Sequence, residues 1–419
     1  MKAFDRSEVR KLVNLLLSRA VPLVASVLTT FTTAALLGPS ERGRLALVIS
    51  TASLVGAVSF LSLHVGMLHA VRTRREWAVR RGLGSSGLIA GIVLVGGVVA
   101  ASRVPPSGWG SFTGSMLFLS AVGAALTVVN LVILRTVQGL GDHRAFRNAM
   151  VTQAVLFMTT AIPLTWLFDT SLPAICAWLG STTISSAMGL LALRRQVIPL
   201  ATGRPARFRE LVGRSLPGHV GSSGQQILHS VDVIVLGALT GAAAVGVYSI
   251  AVALAGLVWL VSEALSLATF DSGTSARTED EDRALFMRYS LIHLVFASAT
   301  AIGVLVMTVT LVPLVLPQYD GLPILVAILL PGVLAQGQAR IALARVTTNG
   351  NASAARAIGV TSAGLAILYI PFISTGGALG AALGSSVLYI LQTAFVFLLL
   401  RRRRTRTSTE SGPLGDVAA

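Results

Sequence analysis

The chain has 419 residues, 53% of them hydrophobic and 12% charged, about half the charged share of a soluble domain. So few charges could not cover one large soluble globule, and so much apolar sequence excludes a disordered chain. Lys and Arg number 33 against 17 Asp and Glu, a net charge of +16. In a soluble protein that excess would point to nucleic acid, but here its placement points to a membrane.

A membrane-crossing helix needs roughly 20 mostly apolar residues. Twelve such stretches follow one another, at about 12–37, 45–70, 83–101, 113–134, 149–168, 172–193, 215–239, 246–270, 289–316, 323–339, 357–373 and 378–400. The fifth and sixth are separated only by Asp169-Thr170-Ser171. The first run is too long for a signal-peptide core and is read as retained. The sequence therefore predicts an all-α polytopic membrane protein, about 12 transmembrane helices in two six-helix lobes related as a parallel repeat. Residues 1–200 form the N-terminal lobe and 211–400 the C-terminal lobe. A cytoplasmic linker at 194–214 joins them, and a basic, then disordered, cytoplasmic tail covers 401–419.

Lys and Arg concentrate in cytoplasmic loops. With the N-terminus inside, 29 of the 33 cations fall on inside segments and three, Arg42, Arg44 and Arg103, fall outside. That split places both termini in the cytoplasm. The run Arg401–Arg404 reads as a topology anchor beside anionic headgroups, not as a nucleic-acid site. A strong preference for Arg over Lys suggests a GC-rich genome. Membrane lipids are the expected surroundings. The single cysteine, Cys176, excludes an internal disulfide and reads as a small hydrophobe.

The halves share features where each begins. Leu16…Arg19…Pro22 matches Leu211…Arg214…Pro217, and Gly38-x4-Gly43 matches Gly241-x4-Gly246 once eight residues are inserted in the second half. Broken helices at corresponding positions mark the substrate path of repeat-built transporters. Pro22 is expected to break the first helix, and Pro217, Gly218, Gly221 and Gly224 to loosen the seventh.

Ionisable residues within a bilayer are costly and functional by default. The seventh helix carries Gly218, Ser222, Gln225, His229 and Asp232 at spacings of 4, 3, 4 and 3, hence on one face. The candidates for ion coupling are Asp232, His229 and Glu263. Those for substrate binding are Arg19, Arg214 and Gln225. Each has a plainer reading. Asp232 is equally expected to tie neighbouring helices together, Arg19 and Arg214 to be anchors reaching the headgroups, and Glu263 to pair with an arginine at the cytoplasmic mouth. His64, His69 and His293 share no face and read as packed or interfacial histidines. No metal site and no cofactor is expected; a coupling H+ or Na+ is. Lys2 and Lys11 are the only lysines, so no phosphate loop is available. Transport must then draw on an ion gradient or on the substrate's own.

Four stretches resemble the bacterial polysaccharide (oligosaccharide-lipid) flippases of the multidrug/oligosaccharidyl-lipid/polysaccharide exporter superfamily. They are Leu36–Gly43, Gln138–Gly141, Asp232–Gly237 followed by Gly246–Ser249, and Gly376–Ala382. The resemblance implies two lobes in a V, alternating access, and a cationic cavity lined by the first and seventh helices. The implied substrate is undecaprenyl-diphosphate-linked oligosaccharide, moved from inner to outer leaflet for surface polysaccharide. Polymerase and assembly proteins are the implied partners. Only Asp232 and Arg19 carry over as family residues. Related peptidoglycan-precursor flippases have two further helices and more cavity arginines. An ion-coupled exporter of drugs or small cations is the alternative, which acidic residues would suit. A membrane polymerase or glycosyltransferase is disfavoured, because the outside loops are short and hold only Glu41, Asp169 and Asp320 as acids. An inactive scaffold leaves the polar stripe without a purpose.

Overall fold

The computed structural model describes residues 6–65, 67, 77–105, 108–197, 208–273, 279–348 and 352–410. They are almost entirely helical. The run Arg6–Ser59 breaks at Gly38 into α1 (6–37) and α2 (39–59). Then come α3 (Trp77–Ser102), α4 (Gly114–Gly139), α5 (His143–Phe168), α6 (Ser171–Val197), α7 (Phe208–Leu239), α8 (Ala242–Gly256) and α9 (Trp259–Gly273). After these follow α10 (Glu279–Thr310), the short α11 (Val312–Val315), α12 (Leu322–Thr348) and α13 (Ala352–Ala366). The run Tyr369–Glu410 breaks at Gly377 into α14 (369–376) and α15 (378–410).

Eight of these helical stretches are long and apolar enough to cross a membrane, and a ninth if α8 and α9, bent by 49° at their junction, count as one span. The remaining passes are hidden from such a test for local reasons. Two runs each hold a glycine-kinked pair, α7 is made less apolar by its polar stripe, and α13 with α14 is interrupted at Ile367 and Leu368. Each of the twelve predicted spans thus meets a helical segment. Apolar side chains stay uncovered along outward faces: Leu88, Ile92 and Val95 of α3 are more than 60% exposed. Such a face requires lipid. Cys176 is exposed as well, so it is not part of the packed interior.

The breaks have clear physical causes. Gly38 adopts φ 66°, ψ 175°, a region open essentially to glycine alone, and Pro39 opens α2 with a fixed φ suited to a first helical turn. Gly241 sits at the same point of the second half with φ 123°, ψ 165°. Between α5 and α6, Asp169 turns left-handed (φ 51°, ψ 31°) and bonds back to Thr165, which is how three residues suffice to reverse the chain. α15 continues through the arginine run to residue 410, and the rest of the expected tail lies outside the described residues.

Two expectations are corrected. α1 passes through Pro22 without a break, and α7 is continuous through Gly221 and Gly224. Those glycines serve packing instead. A Cβ on Gly224 would lie 1.9 Å from the Gly359 carbonyl oxygen, and one on Gly359 would lie 2.1 Å from that of Val220, so α7 and α13 touch main chain to main chain. The register of the repeat also changes. α1 and α7 both span 32 residues, α1 ending one residue before Gly38 and α7 two before Gly241. Arg19 lies 19 residues before Gly38, whereas Arg214 lies 27 before Gly241. Eight residues of helix rise about 12 Å, so the two arginines stand at different depths.

With the side of the α1–α2 and α7–α8 turns called outer, the two halves meet chiefly at their outer ends. A Cβ on Gly43 would lie 1.7 Å from the Ala242 carbonyl oxygen, and one on Gly246 would lie 1.9 Å from that of Pro39. These are the repeat-related glycines read from the sequence, and their contacts are reciprocal. Tyr319 donates to the Ala34 carbonyl at 2.9 Å, and the Ser111 N–H donates to that of Gly237 at 3.1 Å. On the inner side, His219 of α7 reaches the end of α2. Its Nε2 bonds the Val58 carbonyl at 2.8 Å, so that nitrogen carries the proton, and Nδ1 lies 3.2 Å from the Ser62 hydroxyl.

Candidate transport site

The stripe on α7 runs from open to closed. Gly218 and Ser222 are exposed, Gln225 and His229 half-buried, and Asp232 is 1% exposed. α1 shows the same gradient, with Ser26 exposed, Thr30 half-buried and Thr33 buried. Both faces are therefore open toward the inner side and covered toward the sealed outer side. Such a gradient fits a cleft between the lobes that opens inward.

Asp232 lies at the closed end of that stripe. Its Oδ1 accepts from the Val233 N–H at 2.8 Å. Its Oδ2 accepts from the Tyr248 hydroxyl at 2.5 Å and the Ser385 hydroxyl at 3.2 Å. Ser385 also contacts Tyr248 at 2.8 Å and Tyr369 at 3.1 Å, and Tyr369 donates to the Leu228 carbonyl at 3.1 Å. The carboxyl thus joins α7, α8, α14 and α15 through hydroxyls. Among the described residues no cation pairs with it. A carboxylate buried without a counter-charge is strongly disfavoured, so this group favours a bound proton or a bound cation.

His229 lies one turn inward and bonds a different partner. The Gln336 amide lies 3.1 Å from its Nε2, while Trp259 packs edgewise and Tyr389 tilted against its ring at 5.3 and 5.0 Å. Its Nδ1 and the Gln336 Oε1 are both buried without partners among the described residues. The structure brings Asp232 and His229 onto one wall but gives them no direct bond. Glu263 stands apart, with Oε1 3.2 Å from Arg340 Nη1, and the Arg340 guanidinium lies 4.2 Å from the centre of the Trp259 ring. Gln225 is half-buried on the stripe. The side chains of Arg19 and Arg214 lie outside the described residues, as does His69. His64 stacks on Phe60 and His293 is fully buried.

Sequence reasoning missed Tyr248, Ser385, Tyr369, Gln336 and Arg340. Tyr248 lay within a quoted motif, where its hydroxyl could have been matched to an acid on the preceding helix. Ser385 and Tyr369 carry no such signal, because only the packing of α14 and α15 brings them to α7.

No protein-family profile and no curated protein matches the sequence. Solved structures do match over nearly the full length. An inward-facing multidrug resistance MATE family transporter of the MOP superfamily is 17% identical, with 96% of each chain covered and a TM-score of 0.63. A MATE in its bent conformation is 15% identical, with 96% of this chain and 97% of that one covered and a TM-score of 0.65. A MOP superfamily transporter from Pyrococcus furiosus, described by a binding pocket of reverse polarity that suggests a different function, is 16% identical with a TM-score of 0.51 over 94% and 95% of the chains. This chain has the MATE transporter fold. The two six-helix lobes expected from the sequence are those of that fold.

Proposed function

We propose that the chain is an ion-coupled, alternating-access exporter of small organic molecules, with Asp232 as the coupling group. The observation that carries this reading is a buried carboxyl, without a counter-charge among the described residues, at the blind end of a polar face that opens inward. Loading Asp232 with an ion removes the cost of its charge and unloading restores it. The packing of α7 against α8 and α15 is therefore tied to the ion's presence. Likeness in fold to multidrug transporters supports a small-molecule substrate over a lipid-linked one. The orientation carried over from the arginine distribution puts both termini in the cytoplasm.

A lipid-linked oligosaccharide is the second reading, and it rests on the flippase-like motifs and one structural feature. An apolar groove of about 270 Å³ lies between α1 and α5, lined by Val21, Val24, Ala25, Leu28, Val155 and Met158, and would suit a length of lipid chain. The test is uptake into inside-out vesicles of a panel of organic cations and anions under an imposed H+ or Na+ gradient, for the parent and Asp232→Asn. Gradient-driven uptake that Asp232→Asn abolishes supports the exporter reading. No uptake of any panel member, with accumulation of diphosphate-linked oligosaccharide in a deletion strain, would replace it with the flippase reading.

A further inference from the structure

Arg42 lies in the first turn of α2, and the outer seal buries it. It is 9% exposed, and its Nε is shut from solvent with no hydrogen-bond partner among the described residues. The acid beside it is engaged elsewhere. Glu41 accepts from the Ser171 N–H at 3.0 Å and the Ser171 hydroxyl at 2.6 Å, and it also pairs with Arg44. The Tyr319 hydroxyl is the titratable group facing Arg42, and its proton is committed to the Ala34 carbonyl. The start of α2 adds a partial positive charge of its own. A guanidinium so placed lacks, among the described residues, the counter-charge that buried ions require.

The same geometry ties this burial to the closed seal. Pro39 and Gly43, on either side of Arg42 in sequence, are the residues whose backbones meet α8. Arg42 faces Tyr319 of the second half, so parting the lobes at their outer ends would expose its planar fork to the opened cleft. Such a fork matches the paired oxygens of phosphate or carboxylate.

We propose that Arg42 is an oxyanion site on the outward half of the transport path, holding a phosphate or carboxylate group when the seal is open. This rests on the alternating-access reading and adds to it a substrate or lipid bearing an anionic group. A ligand that binds only the open state shifts the lobes toward it.

The test uses the full chain with Cys176→Ser and Ala34→Cys, in phosphatidylcholine nanodiscs. Ala34 is fully buried under Tyr319 at the seal, so its labelling by a membrane-impermeant maleimide reports outer opening. At constant ionic strength, inorganic pyrophosphate should raise the labelling rate saturably, by roughly tenfold or more for a charge-assisted contact. Arg42→Gln should remove that rise and Arg42→Lys keep part of it. The Gln variant should fold, since it deletes an unpaired buried charge, and its basal labelling should fall below the parent's. A second arm replaces pyrophosphate with phosphatidylglycerol in the nanodisc. An Arg42-dependent rise there assigns the site to a lipid headgroup, and a rise with pyrophosphate alone assigns it to a soluble group. A rise that survives Arg42→Gln, or basal labelling that neither anion changes, overturns the proposal. If Ala34→Cys never labels, even with Gly246→Ala, the seal does not open and the transporter reading fails with it.

Discussion

Gly246→Ala should force the outer seal apart. The new methyl would stand 1.9 Å from the Pro39 carbonyl oxygen, and its counterpart in Gly43→Ala would stand 1.7 Å from that of Ala242. Ordinary contact begins near 3.4 Å, so the two backbones must separate by about 1.5 Å. Because the obstacle is main chain, no rotamer change relieves it. Overpacking of this kind costs about 1–3 kcal/mol, which converts to a roughly 5- to 150-fold shift from closed toward open. The bonds from Tyr319 to Ala34 and from Ser111 to Gly237 should weaken with it. Both glycines press the same two helix starts apart, so the double variant should shift less than the sum of the singles. The assay is maleimide labelling of Ala34→Cys in the Cys176→Ser background. Gly96→Ala is the control, since nothing lies within 4 Å of its added methyl. A Gly246→Ala labelling rate equal to that of the Gly96→Ala control would refute the reasoning.

Asp232→Asn should fold, because its amide oxygen still accepts from Tyr248, but it should lose gradient-driven transport in the vesicle assay; unchanged ion dependence would remove Asp232 from coupling. Tyr248→Phe removes one buried hydroxyl donor to the carboxyl, a loss of about 1.5–3 kcal/mol if the acid is ionised, so thermal unfolding should occur at lower temperature while some coupling survives. His219→Ala should lower the unfolding temperature by removing the bonds to Val58 and Ser62, at about 1 kcal/mol each. Glu263→Gln should change stability by less than about 1 kcal/mol, since the pair is partly exposed, whereas Arg340→Ala also loses stacking on Trp259 and should cost more.

The sequence announces its spans because apolar runs and arginine asymmetry are properties of single segments. The turn glycines were legible for a similar reason: Gly38 and Gly241 need backbone angles that other residues resist. The repeat of Leu, Arg and Pro carries its own warning, because the eight residues inserted in the second half already put Arg19 and Arg214 about two helical turns apart relative to their turns. The glycines of α7 were read as breaks because a glycine admits both flexibility and close approach; only the position of α13 decides between them. Asp232 stood out as an acid on an apolar helix, but its partners come from residues 248, 369 and 385, whose convergence is a matter of tertiary packing.

The repeat also shows where the halves diverge. Counting back nine residues from each turn glycine pairs Asp232 with Thr29, and counting forward seven pairs Tyr248 with Leu45. Thr29 bonds its own helix at Ala25, 2.6 Å away, and Leu45 is fully buried. At equivalent positions, then, the first half satisfies its polar group locally and packs with an apolar residue. The second half holds an acid that must call on three other helical segments. The seal, by contrast, uses Gly43 and Gly246 in the same way on both sides. A symmetric hinge with an asymmetric charge is what the proposed coupling requires: on that reading, ion occupancy would change the packing of one lobe, and the matched backbones at the seal would convert that change into movement of one lobe against the other.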